Sequence, residues 1–145
     1  MKVKKSLAVW LLSVGVLHAE DWPQFMGMNR DGKSSEHSIA RKWPNKSGDE
    51  PDILWKYPIN NGWGGASAKE GVVYVMDRTI TKTNDLENID SVIAIDLSTG
   101  KKIWRTDYPA PGKVGKNIKT KGTRQAPTVS DKCVFAYGPM GDLVC

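Results

Sequence analysis

Residues 92–106, VIAIDLSTGKKIWRT, leave little choice of local fold. Two apolar runs are separated by a short polar stretch with turn chemistry. Gly100 adopts positive φ at no steric cost, and Asp96 and Thr99 carry oxygens that bond the backbone of a tight turn. A two-stranded antiparallel hairpin follows. The same grammar recurs along the chain in ILWKY (53–57), VVYVM (72–76), CVFAY (133–137) and LVC (143–145). These runs are rich in Val, Ile and aromatic residues, which suit a pleated, packed surface. Several are apolar at consecutive positions, as in strands covered on both faces. Helical periodicity is weak, so the expected class is all-β.

The first nineteen residues stand apart. Lys2, Lys4 and Lys5 precede an apolar run over residues 7–17, and Ala19 gives a small residue before a polar segment. This is an export-signal pattern, cut near Ala19. The run is shorter than the roughly 20 residues a membrane span requires. The expectation is a periplasmic or secreted protein without a membrane span. The whole chain carries 21 basic and 16 acidic residues; without the three signal lysines the balance is 18 − 16 = +2. Five of those 18 lie in one acid-free stretch, Lys113, Lys116, Lys119, Lys121 and Arg124, which leaves 13 − 16 = −3 elsewhere. Nucleic-acid proteins spread basic charge over a face and add a recognition element, and neither is visible.

The chain repeats itself. KEGVVYV (69–75) aligns with SDKCVFA (130–136), VIA (92–94) with LVC (143–145), and ILWK (53–56) with KIWR (102–105), at offsets of 61, 51 and 49. Insertions at residues 77–91 and 110–124 account for the spread. A unit of this size with four strands matches one propeller blade. The chain then holds the last strand of one blade, a whole blade and the start of another, over residues 53–145, after a leader at 20–52. It stops inside a predicted strand, so the expectation is an incomplete ring from a longer protein.

Ala94, Asp96, Thr99, Gly100 and Trp104 spell A-x-D-x-x-T-G-x-x-x-W. This resembles the tryptophan-docking repeat of the quinoprotein-like β-propellers, named for pyrroloquinoline quinone (PQQ). In that reading Trp55 is the equivalent of Trp104 one blade earlier, and each indole packs between blades with its N–H on a partner. The leader DWPQFMGMNRDGKS (21–34) resembles the start of secreted PQQ-like propeller proteins, with Met28 where a proline is usual. GTRQAPTVSDKCVFAYGPMGDLVC (122–145) resembles their next blade. The leader also hints at a calcium loop, but counting Asn29 and Asp31 as positions three and five puts Gly27 at one and Ser38 at twelve, where acids are required. Residues 29–32 therefore read as a turn, with Trp22 and Phe25 as anchors.

The resemblance implies either a propeller that binds a protein, a small molecule or a saccharide on its top face, or a dehydrogenase that oxidises an alcohol or sugar with PQQ and calcium. Family dehydrogenases commonly stack the cofactor on a ring of adjacent disulfide-bonded cysteines, and Cys133 and Cys145 are not adjacent. The binding class is favoured, with no catalytic residue assigned. Candidate binding residues are Trp63 in the glycine-rich loop NNGWGGAS, Arg78 at a strand end and Arg124 before APTV. Each has a plainer alternative: Trp63 packed under its loop, Arg78 paired with Asp77 or Asp107, and Arg124 in a solvated loop. The two cysteines lie on the arms of a hairpin, either bonded or simply buried. No Ser, His and Asp arrangement is visible.

Overall fold

A computed structural model describes residues 19–37, 39, 51–81, 84–114 and 122–145. All of the predicted export signal except Ala19 lies outside the described residues, as do Lys116, Lys119 and Lys121 of the basic run. Among the described residues seven strands form two antiparallel sheets. The first runs in chain order through β1 (Ser67–Lys69), β2 (Val72–Thr79), β3 (Ile89–Asp96) and β4 (Lys102–Pro109). The second joins β5 (Thr128–Val129), β6 (Val134–Tyr137) and β7 (Leu143–Val144). The described residues include no α-helix, only one 3-10 turn at Asp85–Glu87, capped by the Asn84 side chain. The chain is all-β.

The β2/β3 hairpin is longer than its apolar runs suggest. Asp77, Arg78 and Thr79 pair with Ser91, Asp90 and Ile89, so residues expected in an inserted loop belong to the ladder. Charged residues are tolerated there because each finds a partner inside the sheet. Conversely, residues 53–57 have strand composition but no strand alongside. They form no ladder, with Leu54 89% exposed.

Pairing register fixes the two faces of the first sheet. On one face, Tyr74, Ala94 and Trp104 form a row across three strands, then Met76, Val92 and Thr106, then Arg78, Asp90 and Tyr108. This face meets the second sheet: Met76, Val92 and Ala136 form its buried cluster, with Tyr108, Val134 and Val144 packed around them. The opposite face carries Asp77, Ser91 and Asp107 in one row, beside buried Ile93 and Ile95.

The turn of residues 96–101 is locked as its sequence demands. The Asp96 carboxylate accepts from the Thr99 N–H and from the Ser98 and Thr99 hydroxyls at 2.6–2.8 Å. Those bonds, the Ser98 hydroxyl foremost, hold its pKa down at about 2. Gly100 takes φ +69°, and a Cβ there would lie 2.6 Å from the Trp55 ring. Trp55 therefore rests against this turn, and its indole N–H donates to the Leu97 carbonyl at 2.8 Å. Trp104 is seated differently. It is 36% exposed, tilted against Tyr74 at 6.0 Å, and faces the groove between the sheets.

The leader stitches the sheets together. Trp22 exchanges both backbone hydrogen bonds with Ala68 at 2.8 and 2.9 Å, and Val129 N–H donates to the Pro23 carbonyl at 2.8 Å. Gly27, at φ +79°, leaves the space that the Trp22 ring fills. Phe25 is 72% exposed, so the leader is pinned by Trp22 and not by both aromatics. Cys133 and Cys145 form a disulfide across the β6/β7 hairpin, with Cα atoms 5.8 Å apart. The pairing of Tyr137 with Leu143 sets the register that brings them together.

The contact of Trp55 with Gly100 predicts a measurable coupling. Gly100→Ala adds a methyl against the indole at a left-handed backbone position and is expected to cost about 2 kcal/mol. In a double-mutant cycle with Trp55→Ala, followed by urea denaturation, the coupling is expected to exceed about 0.5 kcal/mol. Full additivity would show that the indole does not rest on this turn.

Candidate functional site

The site with the strongest case for binding is a pair of loops, residues 60–66 before β1 and residues 122–127 before β5. Three glycines let their backbones touch. A Cβ at Gly62 would lie 2.9 Å from the Met76 carbonyl, one at Gly64 would lie 2.2 Å from the Gln125 carbonyl, and one at Gly122 would lie 2.4 Å from the Asn61 backbone. Such approaches exclude any side chain. Gly62 and Thr123 make a parallel bridge, and Trp63 N–H donates to the Thr123 carbonyl at 2.7 Å. The Thr123 hydroxyl, fully buried, donates in turn to the Met76 carbonyl at 3.2 Å.

The buried Asp77 carboxylate anchors the first loop. It accepts from Asn60 N–H at 2.7 Å, Asn61 N–H at 3.0 Å and the Asn60 side-chain amide at 2.8 Å. Asn61 then brackets Arg78, accepting its backbone N–H at 2.9 Å and donating to its carbonyl at 3.1 Å. Arg105 approaches the same carboxylate at 3.5 Å while bonding Asp107 at 2.6 Å and the Ser91 hydroxyl at 2.7 Å. Asp107 is correspondingly held below the usual carboxylate range by the Ser91 and Arg105 bonds.

On this platform Trp63 is 71% exposed, so the alternative in which it packs under its loop does not hold. Arg124, exposed, follows Thr123 directly on the neighbouring loop. Trp63 and Arg124 are 61 residues apart, one of the three offsets of the sequence repeat, and they occupy matching places ahead of the first strand of each sheet. Chemically the pair offers a ring face for stacking and an exposed cation for an anion.

Arg78 does not belong to this surface. It is buried, paired with Asp90 at 2.7 Å, and donates to the Ala110 and Gly112 carbonyls at 2.8 and 2.9 Å. Its partner is neither Asp77 nor Asp107, because Asp90 stands directly opposite it in the β2/β3 register. Lys113, the first cation of the basic run, pairs with Asp85 at 3.0 Å at the surface. Sequence reading missed Asp90, Tyr108, Gly138 and Asp142 at the seam between the sheets. The usable signal was the adjacent charges Asp77 and Arg78 at the end of an apolar run, which require partners at matched positions on the next strand.

Among the described residues no three acids, histidines or cysteines gather in a metal-binding group. Residues 29–32 form a turn, closed by Gly32 N–H on the Met26 carbonyl at 3.0 Å, and Asp31 accepts from Lys33 N–H. The chain's two cysteines, not adjacent in sequence, form a bond across a hairpin.

Different costs are expected for the buried arginine and the exposed indole. Arg78→Met strands the Asp90 carboxylate and is expected to cost about 3–5 kcal/mol, or to abolish cooperative unfolding. Trp63→Ala is expected to change stability by less than about 0.5 kcal/mol. Urea denaturation ranks the two, and the reverse order would contradict this assignment. No protein-family model matches the chain, and no curated protein matches it.

Proposed function

We propose that this chain is a sector of an exported, quinoprotein-like β-propeller that serves as a binding module. Its loop platform takes a protein or small ligand through Trp63 and Arg124. The observation that carries the reading is the exposed indole on a loop held by close-packed glycines and a buried carboxylate. A large ring left in water on an ordered support favours stacking on a ligand ring or filling a partner's pocket.

The repeat architecture draws support from Trp55. Its ring lies on Gly100 and its N–H on Leu97, the arrangement the tryptophan-docking motif implies between neighbouring blades. The match of Trp63 with Arg124 across the repeat offset fits one binding position per blade. Export is supported by the disulfide, which persists in oxidising compartments and rarely in reducing ones. Among the described residues no helix is long and apolar enough to cross a membrane.

Fluorescence titration of the full chain tests the proposal. Trp63 is one of six tryptophans, so each titration is paired with Trp63→Phe. The probes are PQQ with and without calcium, a uronic acid oligosaccharide and its neutral counterpart. A saturable change with at least one probe is expected, absent in Trp63→Phe. Arg124→Gln is expected to weaken the anionic probes about tenfold and spare the neutral one, as for loss of one charge-assisted bond. A saturable change that persists in Trp63→Phe, or no change with any probe, would remove the platform as a small-ligand binding surface. Dye reduction with an alcohol or sugar in the presence of PQQ and calcium would replace the binding reading with the dehydrogenase one.

A further inference from the structure

The leader closes a loop on itself at its first polar residue. Asp21 accepts from the Glu70 N–H at 2.9 Å, and Trp22 exchanges two backbone bonds with Ala68, so residues 21 and 22 are fixed against β1 and the turn that follows it. Residues 34–36 return to the same place. Glu20 Oε2 accepts from the Ser34 hydroxyl at 2.6 Å and the Ser35 N–H at 2.7 Å. Those bonds, the Ser34 hydroxyl foremost, hold the Glu20 carboxyl below the usual carboxylate range. The Glu20 backbone N–H in turn donates to Glu36 Oε1. The two ends of the segment 20–36 thus meet through three hydrogen bonds, all made by Glu20.

That junction lacks a positive charge. Glu20 and Glu36 bring two acidic side chains together, and among the described residues no Lys or Arg pairs with either. A peptide N–H is a weak complement to a carboxylate, whereas an ammonium adds charge to the same hydrogen bond. The Glu20 nitrogen is the atom that a cut after Ala19 would make into an ammonium. Ala19 is exposed. Hydrolysis of its peptide bond to Glu20 consumes one water, leaving a carboxylate on Ala19 and an α-ammonium on Glu20. A cut one residue earlier or later would move the ammonium about 3.8 Å along the chain, away from the atom that bonds Glu36.

We infer that the processed chain begins at Glu20 and that Glu36 holds its α-ammonium, so that removal of the export signal completes the junction closing the segment 20–36. The inference rests on the export reading above and deepens it, assigning the bond that is cut and the side chain that receives the new charge. An exposed ion pair of this kind contributes little to global stability. Its effect is local, fixing the end of the leader beside the bridge from Trp22 to β1, and it is read by titration.

Two measurements on the full chain, expressed with its signal in an exporting host, test this. Mass spectrometry of the exported product is expected to show Glu20 as the first residue. NMR titration of its α-amine is then compared between the unaltered chain and Glu36→Gln. The amine is expected to titrate about half a pH unit lower in the variant, as for loss of one nearby charge at the surface. Glu20, Asp21, Lys69 and Glu70, which line the cleft at this end of the chain, are present in both proteins and cancel from the difference. A chain that is neither exported nor cut would overturn the export reading together with this one. A cut at another bond, or an amine that titrates alike with and without Glu36, would overturn the inference and leave export standing.

Discussion

Two neighbouring charged residues at the end of β2, Asp77 and Arg78, hold the rest of the structure in place. Strand alternation sends them to opposite faces of the sheet. Asp77 turns to one side and takes three donors from residues 60 and 61, which fixes the loop that carries Trp63. Arg78 turns to the other and pairs with Asp90, tying the chain after β4 through the carbonyls of Ala110 and Gly112. A buried ion pair adds little net stability over an apolar pair, but losing one partner is expensive. Its effect here is to specify register. A one-residue slip of β2 against β3 would leave both charges buried and alone.

The same arrangement explains how a structure with short strands presents an ordered surface. β1 and β5 have three and two residues, too few to position loops by ladder bonds alone. Order comes instead from glycine-mediated backbone contact between residues 62–64 and 122–125, and from the leader, which bonds to Ala68 and Val129. The loops and the leader thus join the two sheets at the strand starts, while Met76, Val92 and Ala136 join them in the middle.

The all-β class, the turn at residues 96–101 and five of the seven strands were legible, because they rest on local chemistry: alternating or continuous apolar runs and an Asp, Thr and Gly turn. What was not legible depends on pairing. Residues 53–57 have the composition of a strand, yet no neighbour offers them a ladder, and β1 and β5 are strands only because neighbours do. Ser91 and Asp90 were read into a loop because polar residues depress a strand reading, although their partners Asp77 and Arg78 stood in plain sight one hairpin arm away. Within the site, Trp63 and Arg124 were found from their loop context. Their nearness is consistent with the repeat offset of 61, but the glycine contacts between the loops join residues far apart in sequence and leave no local signal. The disulfide was open until the hairpin register fixed it.

The central claim is that Asp77 and the loop glycines make the Trp63 platform a rigid part of the fold. Amide hydrogen exchange addresses it residue by residue. The Trp63 N–H, bonded to Thr123, and the Asn60 and Asn61 N–H groups, bonded to Asp77, are expected to exchange nearly as slowly as the β2/β3 ladder. In Asp77→Asn the two asparagine amides are expected to speed up together with Trp63 while the ladder holds. Exchange of the Trp63 amide at the rate of an unstructured chain in the unaltered protein would contradict the account.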